Sequence, residues 1–82
     1  MVFTIFTPRM MRGNYFYKRL GRRISSERKH REFTQEKMAL LTGIDRTYLA
    51  RIEEGKANPS MKIMYKISKL LKVKICDLLK GV

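Results

Sequence analysis

The spacing of apolar residues divides the chain into short amphipathic segments. From Asn14, Phe16, Leu20 and Ile24 recur at intervals of four, and Lys18, Arg19, Arg22, Arg23 and Lys29 fill the opposite side. Residues four apart share one face of an α-helix, so a first helix is predicted from Asn14, a natural cap, to near Arg31. Thr34 is placed to cap a second helix, with Glu36 in its first turn, where the helix dipole favours an acid. Met38, Ala39 and Leu41 supply its inner side. Thr42-Gly43-Ile44 then closes it, because Gly43 tolerates the left-handed backbone that ends helices and Ile44 turns back inward. Asp45 caps a third helix through Tyr48, Leu49 and Ile52, which Gly55 terminates.

Lys56-Ala57-Asn58-Pro59 reads as a loop. Ser60 caps a fourth helix with the stripe Met61, Ile63, Met64, Ile67, Leu70 and Leu71. Ile75, Leu78 and Leu79 make a short fifth. Five short helices with tight connections predict a compact all-α domain over residues 14–82. Residues 1–13 break the pattern and form an N-terminal arm, punctuated by Pro8 and Gly13. Val2 to Thr7 is β-branched or aromatic and uncharged, which suits a short strand seeking the edge of a dimer mate. Translation beginning at Met10 or Met11 is the equal alternative.

Charge changes the picture most. Nineteen Lys and Arg against seven Asp and Glu leave the 82-residue chain at +12, an excess that repels itself and that a polyanion relieves. Nucleic acid is the leading partner for such a surface. An 82-residue chain holds one domain with a modest core, which dimerisation would reinforce. Cys76 is the single cysteine, so no intrachain disulfide forms, and a reducing cytoplasm fits. No His or Cys cluster offers a metal site, and no cofactor is expected. Neither a membrane span nor a signal peptide is legible. His30 stands alone, and no Ser, His and Asp arrangement or phosphate loop points to an enzyme.

Two helices joined by a glycine-containing turn form the unit that places a recognition helix in the major groove. Here that unit is TQEKMALLTGIDRTYLARIEEG, Thr34 to Gly55. With Leu20-Gly21, Ile24, Arg28, Phe33-Thr34-Gln35-Glu36, Gly43-Ile44, Ile52-Glu53, Gly55-Lys56 and Asn58-Pro59-Ser60 in order, the stretch from Leu20 to Leu79 resembles the Xre family. That group includes the phage lambda repressor and Cro. The resemblance implies a lambda-repressor-like fold and roles for particular residues. Gln35 would bond a DNA phosphate and brace the recognition helix. Arg46, Thr47 and Arg51 would face base edges. Lys56 and Asn58 would lie along the sugar-phosphate backbone, and Tyr48 would touch that backbone or a thymine methyl. Arg28 and Glu53 would form a partly buried salt bridge, the alternative being two unconnected surface charges. Two positions depart from the pattern: Glu27 where Leu is frequent, and Glu32 where Gly often ends the first helix.

The residues support the same division independently. If Leu49 and Ile52 point inward, Arg46, Thr47, Ala50 and Arg51 point outward, and an arginine fork matches guanine O6 and N7. Arg9, Arg12, Lys18, Arg22 and Arg23 are expected to add phosphate contacts that carry affinity without sequence information. One recognition helix reads few base pairs, so a homodimer on a pseudo-palindromic operator is expected. Its interface would be Ile75, Leu78 and Leu79, unless these seal the core. The short chain and Asp45-Arg46-Thr47-Tyr48 resemble restriction-modification controller proteins. A repressor acting by concentration is the simplest scheme, and an antitoxin that binds a toxin partner and autoregulates its operon is the alternative.

Overall fold

A computed structural model describes residues 13–82. Among these residues the chain forms α1 (Gly13–His30), α2 (Gln35–Thr42), α3 (Arg46–Glu53), α4 (Met61–Leu71) and α5 (Ile75–Leu79), with no strand. This is the lambda-repressor-like all-α fold. The expected strand at Val2 to Thr7 lies outside the described residues. Helix α1 begins at Gly13, so Asn14, the expected cap, lies within its range.

Three helix starts follow from capping side chains. Thr34 Oγ1 accepts from Lys37 N at 3.0 Å, Asp45 Oδ2 from Tyr48 N at 3.1 Å, and Ser60 Oγ from Ile63 N at 3.2 Å. Each satisfies an amide that has no partner inside its helix. Helix ends follow a second rule. At α1, Phe33 N donates to Arg28 O at 3.1 Å and Glu32 N to Lys29 O at 2.9 Å, which is the paired Schellman closure. That closure needs a left-handed residue, and Glu32 supplies it at φ 61°. The absence of glycine there is met by strain on a glutamate. Lys72, at φ 57°, closes α4 in the same way, with Val73 N donating to Ser68 O at 3.1 Å.

The core draws on every helix: Leu20 and Ile24 of α1, Met38 and Ala39 of α2, Leu49 and Ile52 of α3, Met64, Ile67 and Leu71 of α4, and Leu78 of α5. Ile44, in the turn between α2 and α3, joins them. Three expected core positions are outside it. Phe16 is exposed and Tyr17 packs inward instead, because the buried seam of α1 runs through Tyr17, Gly21, Ile24 and Arg28. Leu41 is exposed because α2 buries the side centred between Met38 and Ala39, about a third of a turn away. Met61 is exposed because the buried stripe of α4 starts one turn later, at Met64.

The tightest seam joins α1 to α3. A Cβ on Gly21 would stand 2.4 Å from the carbonyl oxygen of Ile52 and 2.5 Å from that of Glu53. Gly55 meets α1 from the other side: its Cβ would lie 2.5 Å from Lys18 Cα. Backbones this close leave no room for a methyl group, so the two glycines set the separation of the helices.

Replacing Gly21 with alanine should therefore push α1 off α3 and destabilise the fold by about 1–3 kcal/mol in urea unfolding. Glu32→Gly should do the opposite. It relieves a left-handed residue worth roughly 1–2 kcal/mol but adds the flexibility of glycine, for a net gain of about 0.5–1 kcal/mol.

Candidate nucleic-acid interface

Helix α3 is two turns long, and its partition between core and solvent is sharp. Leu49 and Ile52 are fully buried, whereas Arg46, Thr47 and Arg51 are exposed. Tyr48 and Ala50 lie at the edges, half-buried, and the Tyr48 ring packs against the core. Asp45 caps the helix, and Gly43, at φ 75°, ends α2 by donating its amide to Ala39 O at 2.9 Å. Thr42 Oγ1 donates to Met38 O at 2.7 Å and accepts from Ile44 N at 3.3 Å. The turn between α2 and α3 is thus closed by hydrogen bonds that need no ligand.

A buried polar network fixes this helix to the rest of the domain. Arg28 Nε donates to Glu53 Oε2 at 2.7 Å and Nη2 to Oε1 at 3.0 Å, a two-pronged pairing with side chains only 9% and 5% exposed. Arg28 Nη1 also donates to Phe33 O at 2.7 Å. Gln35 Nε2 donates to Glu53 Oε1 at 3.0 Å. One carboxylate therefore gathers α1, the start of α2 and the end of α3. Among the described residues no buried side-chain polar atom lacks a partner. A buried charge needs such satisfaction, because its desolvation costs several kcal/mol.

Gln35, the first residue of α2, is half-buried and held by Glu53 through one amide hydrogen, which leaves its second amide hydrogen available. Arg51 Nη2 donates to Lys56 O at 3.0 Å. That bond uses one of the five N–H groups of the guanidinium, so the side chain is steered but not consumed. Lys56 and Asn58 are exposed in the loop after α3. Lys56 Nζ stands 3.7 Å from Glu54 Oε1, both side chains being largely exposed, which is a weak tether. Gln35, Arg46, Thr47, Arg51, Lys56 and Asn58 thus sit on α2, α3 and the loop that follows them.

Two expected contact residues are engaged within the domain. Arg23 donates to Asp77 O at 2.7 Å and Lys80 O at 2.8 Å, while Arg19 bonds Gly81 O. Two guanidinium groups from α1 thus bind carbonyls of α5 and of the residues that follow it, Asp77 within the helix and Lys80 and Gly81 beyond it. Helical spacing places both arginines outside the apolar face of α1 but says nothing of what lies beside it. No local signal marks these contacts, because donor and acceptor stand more than 50 residues apart in sequence. Leu78 is likewise not available to a partner, being 1% exposed within the core. Ile75 packs against the core, and Leu79 remains exposed on α5. Among the described residues, no three His, Cys, Asp or Glu side chains come together in a metal-holding group, and no helix is long and apolar enough to cross a membrane.

Comparison with known proteins agrees with this geometry. The family described as helix-turn-helix matches residues 24–78. An uncharacterised HTH-type transcriptional regulator of Archaeoglobus fulgidus is 39% identical over 56 residues, covering 68% of this chain and 79% of the relative. The ImmF control region 10 kDa protein of Bacillus phage phi105 is 41% identical over 54 residues, 66% of this chain and 60% of its own length. Among solved structures, the restriction-modification controller protein C.AhdI of Aeromonas hydrophila superposes with a TM-score of 0.73 at 29% identity. That match covers 76% of this chain and 94% of the controller.

Removing either end of the network tests its weight. Arg28→Ala and Glu53→Ala should each cost about 3–5 kcal/mol in chemical denaturation, because each strands the other charge in the core. Lys56→Ala, which breaks only the exposed pair, should change stability by less than about 1 kcal/mol.

Proposed function

This chain belongs to the helix-turn-helix family, and we propose that it is a sequence-specific regulator of transcription that lays α3 in the major groove of double-stranded DNA. The observation that carries the reading is the outward set Arg46, Thr47 and Arg51 on a helix whose opposite face and C-terminal end are anchored in the core. Arg46 and Arg51 offer forks for guanine O6 and N7, and Thr47 offers a hydroxyl and a methyl. Gln35, Lys56 and Asn58 flank them and supply phosphate contacts, with Tyr48 at the edge. The chemistry is recognition, not catalysis, and the site of action is the cytoplasm.

Two turns of helix read few base pairs, so the regulator acts as a homodimer on a pseudo-palindrome whose half-sites lie about one helical turn apart. With Leu78 in the core, the dimer contact falls to Leu79 and the accessible part of Ile75 on α5. The likeness to C.AhdI supports a controller-type role, in which a short protein represses or activates by its own concentration.

Selection of bound sites from a random duplex library at roughly physiological salt tests this directly. A recovered pseudo-palindrome supports a dimeric regulator and names its operator, whereas random sequence overturns base reading by α3. On the recovered site, affinity should fall with salt with a logarithmic slope of roughly −0.9 per phosphate neutralised. Arg51→Ala should lose about 1–3 kcal/mol of discrimination at one base position. Lys56→Ala should weaken every sequence alike and flatten the salt slope.

A further inference from the structure

We propose that the groove between α2 and α4 docks an amphipathic helix of a protein partner whose polar flanks are acidic. The groove encloses about 380 Å³ and is lined by Leu41, Thr42, Tyr65 and Leu70, with Lys66 and Lys69 along it. Leu41 is 50% exposed and Tyr65 55%, and neighbouring Leu40 is 76% exposed. Met38 of α2 and Ile67 of α4 are fully buried, so these helices present apolar side chains to solvent as well as to the core. Leu41, Tyr65 and Leu70 meet in this one groove, and apolar side chains flanked by charge are the form that interaction sites take.

The chemistry of the rim selects the occupant. Lys69 Nζ lies 5.5 Å from the centre of the Tyr65 ring, and among the described residues neither Lys66 nor Lys69 has a carboxylate within salt-bridge distance. Two free cations beside an apolar floor complement a partner with leucine-like anchors and acidic flanks. A phosphate backbone would use the cations and leave the floor wet. A second copy pairing groove to groove would put two sets of Lys66 and Lys69 into one seam, in a chain already at +12. A cleft between two helices accepts a third, with anchors at intervals of three and four. None of the lining residues belongs to α3 or α5, so docking leaves Arg46, Thr47, Arg51 and Leu79 free. The inference therefore stands apart from the DNA-binding reading.

The probe is a synthetic helical peptide with a leucine face and glutamate flanks, titrated into the isotopically labelled full chain and followed by NMR. Shifts should centre on Leu41, Thr42, Tyr65, Lys66, Lys69 and Leu70. Leu41→Glu and Tyr65→Glu should each weaken binding by about tenfold or more while thermal unfolding stays as in the parent, since both side chains are half-exposed. Equal binding by a peptide with serine in place of leucine reduces the effect to charge and overturns the proposal. So does equal binding by a peptide with lysine in place of glutamate. Groove resonances that move with protein concentration alone would assign the groove to a second copy. Groove resonances that move on deleting residues 1–12 would assign it to the chain itself. Either result overturns the acidic-helix partner.

Discussion

The Glu53 carboxylate is the point on which the arrangement of the first three helices turns. It accepts two hydrogen bonds from Arg28 and one from Gln35 while 95% hidden from solvent, and Arg28 reaches on to the carbonyl of Phe33. A buried ion pair of this kind is weak as a source of net stability, because desolvation offsets most of the attraction. Its value here is geometric. The charges find full satisfaction only when α1, the first residue of α2 and the last residue of α3 meet in one register. The glycines act to the same end, since Gly21 and Gly55 let α1 approach α3 and the turn after it until backbone nears backbone. Gln35 then serves two surfaces at once, holding Glu53 with one amide hydrogen and facing outward with its remaining capacity.

A division of labour follows along the chain. Helix α3 is too short to fold alone, and only two of its residues are fully buried, so tertiary contacts supply its stability. That economy leaves Arg46, Thr47 and Arg51 free of structural duty apart from the bond from Arg51 to Lys56 O. The far end of the domain is held differently. Helix α5 has no side-chain cap at its start, and Arg19 and Arg23 of α1 bind the carbonyls of Asp77, Lys80 and Gly81 at and beyond its end. Part of the excess positive charge is therefore architectural, engaged with carbonyls of this chain.

Most of the fold was legible because its signals are local. Thr34, Asp45 and Ser60 cap through side chains that reach only three residues ahead, and Gly43 ends α2 through its own backbone. The outward face of α3 was legible for the same reason, since burying Leu49 and Ile52 leaves Arg46, Thr47 and Arg51 exposed. What was not legible depends on neighbours distant in sequence. Phe16 and Tyr17 are adjacent and both aromatic, and only the seam with α3 decides which turns inward. Arg23 resembles any surface arginine until α5 is seen beside it, and Leu78 resembles Leu79 until the core claims it. Leu41 fits an apolar pattern that α2 does not bury. Local rules gave its spacing, and the packing of α4 determined which side of α2 was covered.

The most direct test of the central claim is an NMR map of the full chain titrated with a duplex carrying the selected operator. The account predicts that perturbations concentrate at Gln35, Arg46, Thr47, Arg51 and the loop at Lys56 and Asn58, with Leu41 and Tyr65 unmoved. A map centred on the outer face of α1, with α3 silent, would contradict it: the charge would then bind DNA without the recognition helix.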